Sequence, residues 1–313
     1  MKHKLLFKRF VERIVNLVVK SGKDALALHY VSDEVILATL QANGGLTEIH
    51  DPLAYVNFLL ECIQPLTFSI RELKGKEDLD SVESKRFATF LFSLQSGLPP
   101  VDFSLAKEIG LIADRYRSLY SPLEYHQWAG DTALHFSVAS SFGKKGRLLF
   151  NIVRLLRSRD CLELGTAYGL SALFLCGGMR AIGVKGHLTT IELAEHQFSL
   201  ASTLLQSKYA DSVTCIHGST QDQLAKVVKT LSGLDFVFHD AGHTREDYIT
   251  DFNAFVEALR RGAVVLFDDI YWDDRRWYTA PTRAHEGWLE VVSHPRVKRA
   301  VEINEEMGLL LIN

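Results

Sequence analysis

The sequence predicts an α/β fold: a Rossmann-like, doubly wound, mostly parallel sheet preceded by an amino-terminal α-helical domain. Three observations carry that expectation. From residue 160 onward, short apolar runs alternate with helical patterns, the rhythm of a parallel sheet with helices on both faces. The first of these runs, Cys161-Leu-Glu-Leu, breaks into a Gly-rich turn and reopens as a helix at Ser171. Before residue 160 there is no such alternation, and helical spacing dominates.

The 313 residues, 47% of them hydrophobic, suffice to bury one large core or two smaller ones. A formal net charge of −3 and balanced acids and bases over the first 120 residues leave no basic arm, so no nucleic acid is expected as a partner. Cys62, Cys161, Cys176 and Cys215 form no C-x-x-C pair and sit mostly in apolar runs, as reduced core cysteines do. A cytoplasmic setting follows as the expectation.

Taken in order, the stretch 5–19 places Leu6, Phe10, Ile14 and Leu17 at helical spacing with bases on the other face. Lys8, Arg9, Glu12 and Arg13 make it too charged to span a bilayer, and no cleavable signal is evident. A membrane-surface helix shares this pattern, as does a helix docked on its own protein or on a second subunit. A further helix opens at Ser32-Asp33-Glu34 and stops at Asn43-Gly44-Gly45; another opens at Asp51-Pro52 and ends before Pro65. A charged link is expected over 72–80 and a helix over 84–94. Gly97-Leu-Pro-Pro100 is the strongest break of the first half and reads as a linker. A helix over 103–119 follows, and Ser121-Pro122 looks like a cap. Residues 1–120 are therefore expected to form a helical domain serving as a lid, a dimerisation unit or a substrate-docking element, and residues 121–313 the domain that holds the sheet.

Strands are expected at 161–164, 186–192, 212–217, 234–240 and 263–268, with 297–303 and 309–312 closing the sheet as a final pair. Ligands of open α/β sheets bind beyond the carboxyl ends of the strands. Here those ends carry Glu163, Glu192, Asp240, Asp268 and Asp269. Gly165 and Gly169 permit close backbone approach at a helix N-terminus, which suits an anionic or polar ligand. The spacing is not G-x-G-x-x-G, and Glu163 would repel a pyrophosphate while suiting a ligand with a cationic amino group, such as S-adenosylmethionine. A strand-helix turn that uses glycine only for packing has the same local signature.

Glu192 lies where such folds place a carboxylate for the ribose hydroxyls, and Gly218-Ser219-Thr220-Gln221 offers short polar groups for an adenine edge. Asp240, Asp268 and Asp269 at adjacent strand ends would repel one another without a cation or a proton between them. Hard oxygen ligands with no matching Cys or His set point to Mg²⁺ or Ca²⁺; helix or turn capping is the other use of such acids. His243, three residues after Asp240, is the candidate general base, whereas His239 should point to the opposite face of its strand.

Together, Glu163-x-Gly165-x-x-x-Gly169-x-Ser171, Glu192, Gly218-Ser-Thr-Gln-Asp222, Asp240 and Asp268-Asp269 resemble a class I S-adenosylmethionine-dependent methyltransferase of the metal-dependent, catechol O-methyltransferase-like branch. The resemblance implies that Glu163, Gly165, Thr166, Ala167, Gly169 and Ser171 line the methionine end of the cofactor. It further implies that Glu192 holds the ribose, that Gly218, Ser219, Thr220 and Gln221 approach the adenine, and that Asp240, Asp268 and Asp269 bind the metal beside the cofactor. Catechol methyltransferases carry Asn at the position of Asp269 and Lys at that of His243. The Asp-x-x-His arrangement with a second acidic pair instead resembles the macrolide-sugar O-methyltransferases of the mycinamicin type, where that His is the base.

The implied function is methyl transfer to a hydroxyl of a small molecule or natural product of secondary metabolism, with His243 and Asp240 as catalytic residues. Walls for the acceptor are expected from the aromatic and basic run 270–278 with Trp288, and from Tyr125-His-Gln-Trp128, though subunit packing would use the same residues. A homodimer is expected. Two alternatives keep the fold: a metal-independent methyltransferase acting on a carboxylate or amine, as of a peptide, and a non-catalytic binding protein. A nicotinamide dehydrogenase lacks its fingerprint here.

Overall fold

A computed structural model describes residues 52–75, 81–119, 143–183, 185–231, 233–272 and 281–313. The helices expected within 5–19 and 32–45, the cap at Ser121, the Tyr125–Trp128 wall and most of the run 270–278 lie outside the described residues. The chain divides into two compact units, residues 1–65 with 100–147, and residues 66–99 with 148–313.

In the first unit, helices α1 (Pro52–Ile63) and α3 (Phe103–Leu119) pack through Tyr55, Phe58, Ala106, Ile109 and Ala113, all buried. Gly110 is the contact point: a Cβ there would stand 2.9 Å from the Tyr55 ring. α1 is the helix expected after Asp51-Pro52, and α3 has its expected bounds.

The second unit is built on an eight-stranded sheet in the order β4-β3-β2-β5-β6-β8-β7-β1. Its strands are β1 (Ile70–Lys74), β2 (Asp160–Leu164), β3 (His187–Glu192), β4 (Val213–His217), β5 (Leu234–His239), β6 (Leu259–Phe267), β7 (Val297–Ile303) and β8 (Met307–Ile312). β4, β3, β2, β5 and β6 run parallel. β8, β7 and β1 add antiparallel, so 297–303 and 309–312 do form the expected final pair, with β8 beginning at Met307. The central parallel strands read as continuous apolar runs because helices cover both of their faces. Phe236, Val237 and Phe238 of β5 and Val264 to Phe267 of β6 are all buried.

One element departs from expectation. The charged link expected from Glu72 begins instead as the edge strand β1. Its charges find partners on the next strand: Arg71 bonds Glu302, which is also its register partner, and Glu72 accepts from Arg299 at 2.9 Å. Charged side chains are tolerated on an edge strand, where one side faces water.

The helices of this unit are α2 (Val82–Ser96), α4 (Gly143–Leu156, whose first turn clusters with the other unit), α5 (Leu170–Ala181), α6 (Glu195–Tyr209), α7 (Thr220–Val227), α8 (Arg245–Phe255) and α9 (Ala284–Ser293). α5 is apolar around most of its circumference and is almost wholly buried, as expected of a helix that sits inside a layer. Gly178 lets it lie against α4, since a Cβ there would be 2.6 Å from the Phe150 carbonyl oxygen.

Candidate active site

From β2 the chain winds through β3 and β4 on one side, then returns to add β5 on the other. The carboxyl ends of β2 and β5 therefore part at a topological switch point, where open α/β sheets bind ligands. Asp240 N donates to the Leu164 carbonyl at 2.8 Å, and Gly165 N to that of Ile191 at 2.9 Å. Gly165 has φ +89°, and a Cβ on it would lie 2.0 Å from the Asp240 carbonyl oxygen. Only glycine meets both conditions. Ala167 at φ 44° and Gly169 at φ +83° complete the turn, with Gly169 N bonded to the Thr166 carbonyl before α5 begins.

Glu192 ends β3 and is nearly buried. Its two oxygens accept the N–H groups of Ala167, at 2.7 Å, and Ala194, at 2.8 Å. Burial raises its pKa, against the lowering effect of these donors. A carboxylate has about four acceptor sites, so these two bonds leave capacity for hydroxyl donors.

Glu163 has no exposed surface. Thr190 donates to it at 2.6 Å and is itself hydrogen-bonded to Thr166, so Glu163 braces the loop from beneath. Burial pushes its carboxyl up to about 7, with the Asp240 and Glu192 charges adding to the rise and the nearby Ser171 and Thr190 hydroxyls opposing it. Its Oε1 has no hydrogen-bond partner of ordinary geometry. Ser171 is buried in the first turn of α5.

The third polar turn lies beside Glu192, whose carbonyl accepts Gly218 N at 2.9 Å. Ser219 caps α7, accepting from Asp222 N at 3.1 Å and donating to its carboxylate at 2.7 Å. Thr220 opens the helix, and Gln221 donates to Asp247 at 3.3 Å.

At the ends of β5 and β6 the structure gathers Asp240, His243 and Asp269, whose ligand-type atoms lie within 4.8 Å of one another. His243 Nε2 stands 3.4 Å from Asp269 and 3.7 Å from Asp240, and has no hydrogen-bond partner. Burial alone would lower the imidazole pKa, but the two acids outweigh it and raise it to about 10. The loop that carries His243 is fixed by the capping box of α8, in which Thr244 and Asp247 bond one another reciprocally. Asp269 adopts φ 53°, a conformation rare outside glycine. The Trp272 ring lies 5.5 Å from that of His243, centroid to centroid.

Asp268, expected in the same metal set, is fully buried and groups with Asp269 and Glu306 instead. Its carbonyl accepts the Tyr248 hydroxyl at 2.6 Å. His239 points to the far side of β5, as expected, and bonds Asp251 at 3.0 Å inside the core.

A divalent ion fits the two carboxylates here. Asp240 and Asp269 offer converging hard oxygen ligands beside the buried His243 imidazole, whose Nε2 makes no hydrogen bond. For the cofactor, the fit lies in a loop held by Glu192, whose carboxylate keeps acceptor capacity beyond its two N–H bonds.

Residues 162–270 match the family model described as a methyltransferase domain. This segment carries the chain's likeness to methyltransferases. It contains every site residue expected from the sequence, from Glu163 to Asp269, whereas Glu306 falls beyond it. The "Catechol O-methyltransferase" of Mycobacterium tuberculosis is 30% identical over 130 residues, 41% of this chain and 55% of the relative. The chain spans about half the length of the curated relatives it matches. In fold, the chain is similar to the S-adenosylhomocysteine-bound methyltransferase PaMTH1 of Podospora anserina, with a TM-score of 0.51 at 14% identity over 77% of this chain and 100% of that one.

Sequence reasoning missed Glu306, a turn residue between β7 and β8 with no local motif. Ala167 is expected from the sequence as a loop residue, and its backbone N–H donates to Glu192.

Proposed function

We propose that the protein is an S-adenosylmethionine-dependent O-methyltransferase acting on a hydroxyl of a small molecule or natural product with the help of a divalent metal. The observation that supports it most is the meeting of Asp240, His243 and Asp269 at the switch point, beside the Gly165 loop of a methyltransferase domain. The cofactor supplies the methyl group, and the metal lowers the pKa of the acceptor hydroxyl. Asp240 and Asp269 hold the metal, with Mg²⁺ the first choice for two carboxylates, and Asp268 stands behind Asp269. Glu192 binds the ribose, the loop 165–169 with Glu163 and Ser171 the methionine end, and Gly218 to Gln221 the adenine. The name of the mycobacterial relative supports hydroxyl chemistry.

His243 Nε2 takes the hydroxyl proton. While both acids face it the imidazole stays protonated, so the base role requires a cation to draw off their charge. Holding the acceptor oxygen in line with the methyl carbon, away from water, provides the remaining acceleration. The amino-terminal residues outside the sheet unit, 1–65 and 100–120, would serve substrate docking or dimerisation, in a cytoplasmic homodimer.

The placing of His243 Nε2 3.4 and 3.7 Å from two carboxylates favours a second reading, in which the imidazolium and acids position a carboxylate or amine acceptor and no metal is used. A screen of hydroxylated and carboxylated acceptors with labelled cofactor, run with Mg²⁺ and with chelator, separates them. Transfer to hydroxyls that chelator abolishes supports the first. Transfer to carboxylates that survives chelator supports the second, and no transfer to any acceptor while the cofactor still binds favours a binding protein.

A further inference from the structure

Glu302 on β7 is a buried carboxylate with no exposed side-chain surface. Such a group is costly unless donors surround it. Four residues do: Arg71 from β1 with Nε at 2.8 Å and with Nη2, the Tyr271 hydroxyl at 3.1 Å, His285 Nε2 at 3.1 Å and Trp288 Nε1 at 3.1 Å from α9. A core staple needs only β1, β7 and α9. Tyr271 belongs to none of them; it sits in the turn after β6, two residues beyond Asp269, and is 41% exposed.

Tyr271 is held on three sides. Its hydroxyl bonds Glu302, accepts from Arg71 Nη2 at 2.6 Å, and its ring stacks on His285 at 4.1 Å and 18°. The same turn is tied to the β7–β8 turn by Ile270 N, which donates to the Glu306 carbonyl at 2.9 Å. Trp272 N closes the turn on the Asp269 carbonyl at 2.8 Å, and its indole packs against His243. Tyr271 thus stands between the Glu302 hub and the two groups that face His243.

We infer that Glu302, acting through the Tyr271 hydroxyl, is a positioning residue that fixes the Asp269–Trp272 turn and so the placement of Asp269 and Trp272 around His243. This rests on the proposed function only in treating Asp269 as a metal ligand. The extra edge strand β1 acquires a purpose from it, since Arg71 lies opposite Glu302 in register and completes the hold on Tyr271.

The test uses the full chain with Tyr271→Phe, which removes only a hydroxyl from an exposed ring, and Glu302→Gln, which keeps shape and loses charge. The difference in near-ultraviolet circular dichroism between wild type and Trp272→Phe isolates the Trp272 signal. Mg²⁺ titrated calorimetrically in the presence of S-adenosylhomocysteine reports the Asp269 site. Tyr271→Phe is expected to lose at least half of the Trp272 signal and to weaken Mg²⁺ about tenfold, a magnitude usual for groups that orient ligands. Its S-adenosylhomocysteine affinity should hold within about twofold and its melting temperature should stay near that of wild type. Glu302→Gln should match it if folded. An unchanged Trp272 signal in Tyr271→Phe overturns the inference, whatever happens to the metal. Absence of Mg²⁺ binding in wild type instead sinks the metal reading, and the Trp272 signal still decides the positioning role.

Discussion

Beneath the Gly165 loop, Glu192 takes N–H bonds at 2.7 and 2.8 Å, whereas at the ends of β5 and β6, His243 faces Asp240 and Asp269 at 3.7 and 3.4 Å without a hydrogen bond. The two halves of the switch point thus treat their carboxylates differently. In the loop half, backbone and hydroxyl donors from the chain itself hold the acids, so the loop has its shape from the fold alone. In the other half, like charges share one imidazole, so an added cation or proton changes the local balance most there. In the proposed function, binding belongs to the first half and chemistry to the second.

Substitutions that break one half and spare the other sharpen this contrast. His243→Ala should lower turnover about 10²–10⁴-fold, the usual worth of a general base, with S-adenosylhomocysteine affinity kept; equal turnover would remove His243 from the chemistry. Gly165→Ala should unsettle both halves at once, since the new methyl meets the Asp240 carbonyl at positive φ. A loss of at least about 2 kcal/mol by urea denaturation is expected, and a neutral result would mean that the two strand ends can part freely.

Glu163 gives a test by pH. Its folded pKa of about 7 lies above the ordinary 4.5, so the folded state binds the proton more tightly. Its contribution is therefore greatest at or below about pH 4.5 and is lost as pH rises through about 7, on the order of 3 kcal/mol in all. Glu163→Gln, which still accepts from Thr190, should lose this decline, so its stability relative to wild type improves from pH 5 to pH 8. Parallel melting curves for the two proteins would refute the assignment. The smallest effect on stability is expected for Ser219→Ala, about 1 kcal/mol from the lost cap of α7, read by urea denaturation.

Most of the parallel sheet was legible because its strands are apolar runs bounded by glycines and acids, and the strand ends placed Glu163, Glu192, Asp240 and Asp269 near one another before any coordinates. What stayed hidden depends on contacts between distant residues. β1 reads as a charged link because its partners, Glu302 and Arg299, lie more than 220 positions away. Asp268 and Asp269 are neighbours in sequence, yet only Asp269 groups with Asp240 and His243, while Asp268 groups with Asp269 and Glu306. The bond that Thr190 on the adjacent strand donates to Glu163 is likewise invisible in the local sequence.

The central claim is a switch point with a cofactor half and a metal half, and calorimetric titration of the full chain with S-adenosylhomocysteine tests it most directly. It should be run with Mg²⁺, with chelator, and with Glu192→Ala and Asp269→Asn. The expected result is cofactor-product binding that survives chelator and Asp269→Asn but is lost in Glu192→Ala, together with Mg²⁺ binding that Asp269→Asn abolishes. S-adenosylhomocysteine binding unaffected by Glu192→Ala, or none in any condition, would contradict it.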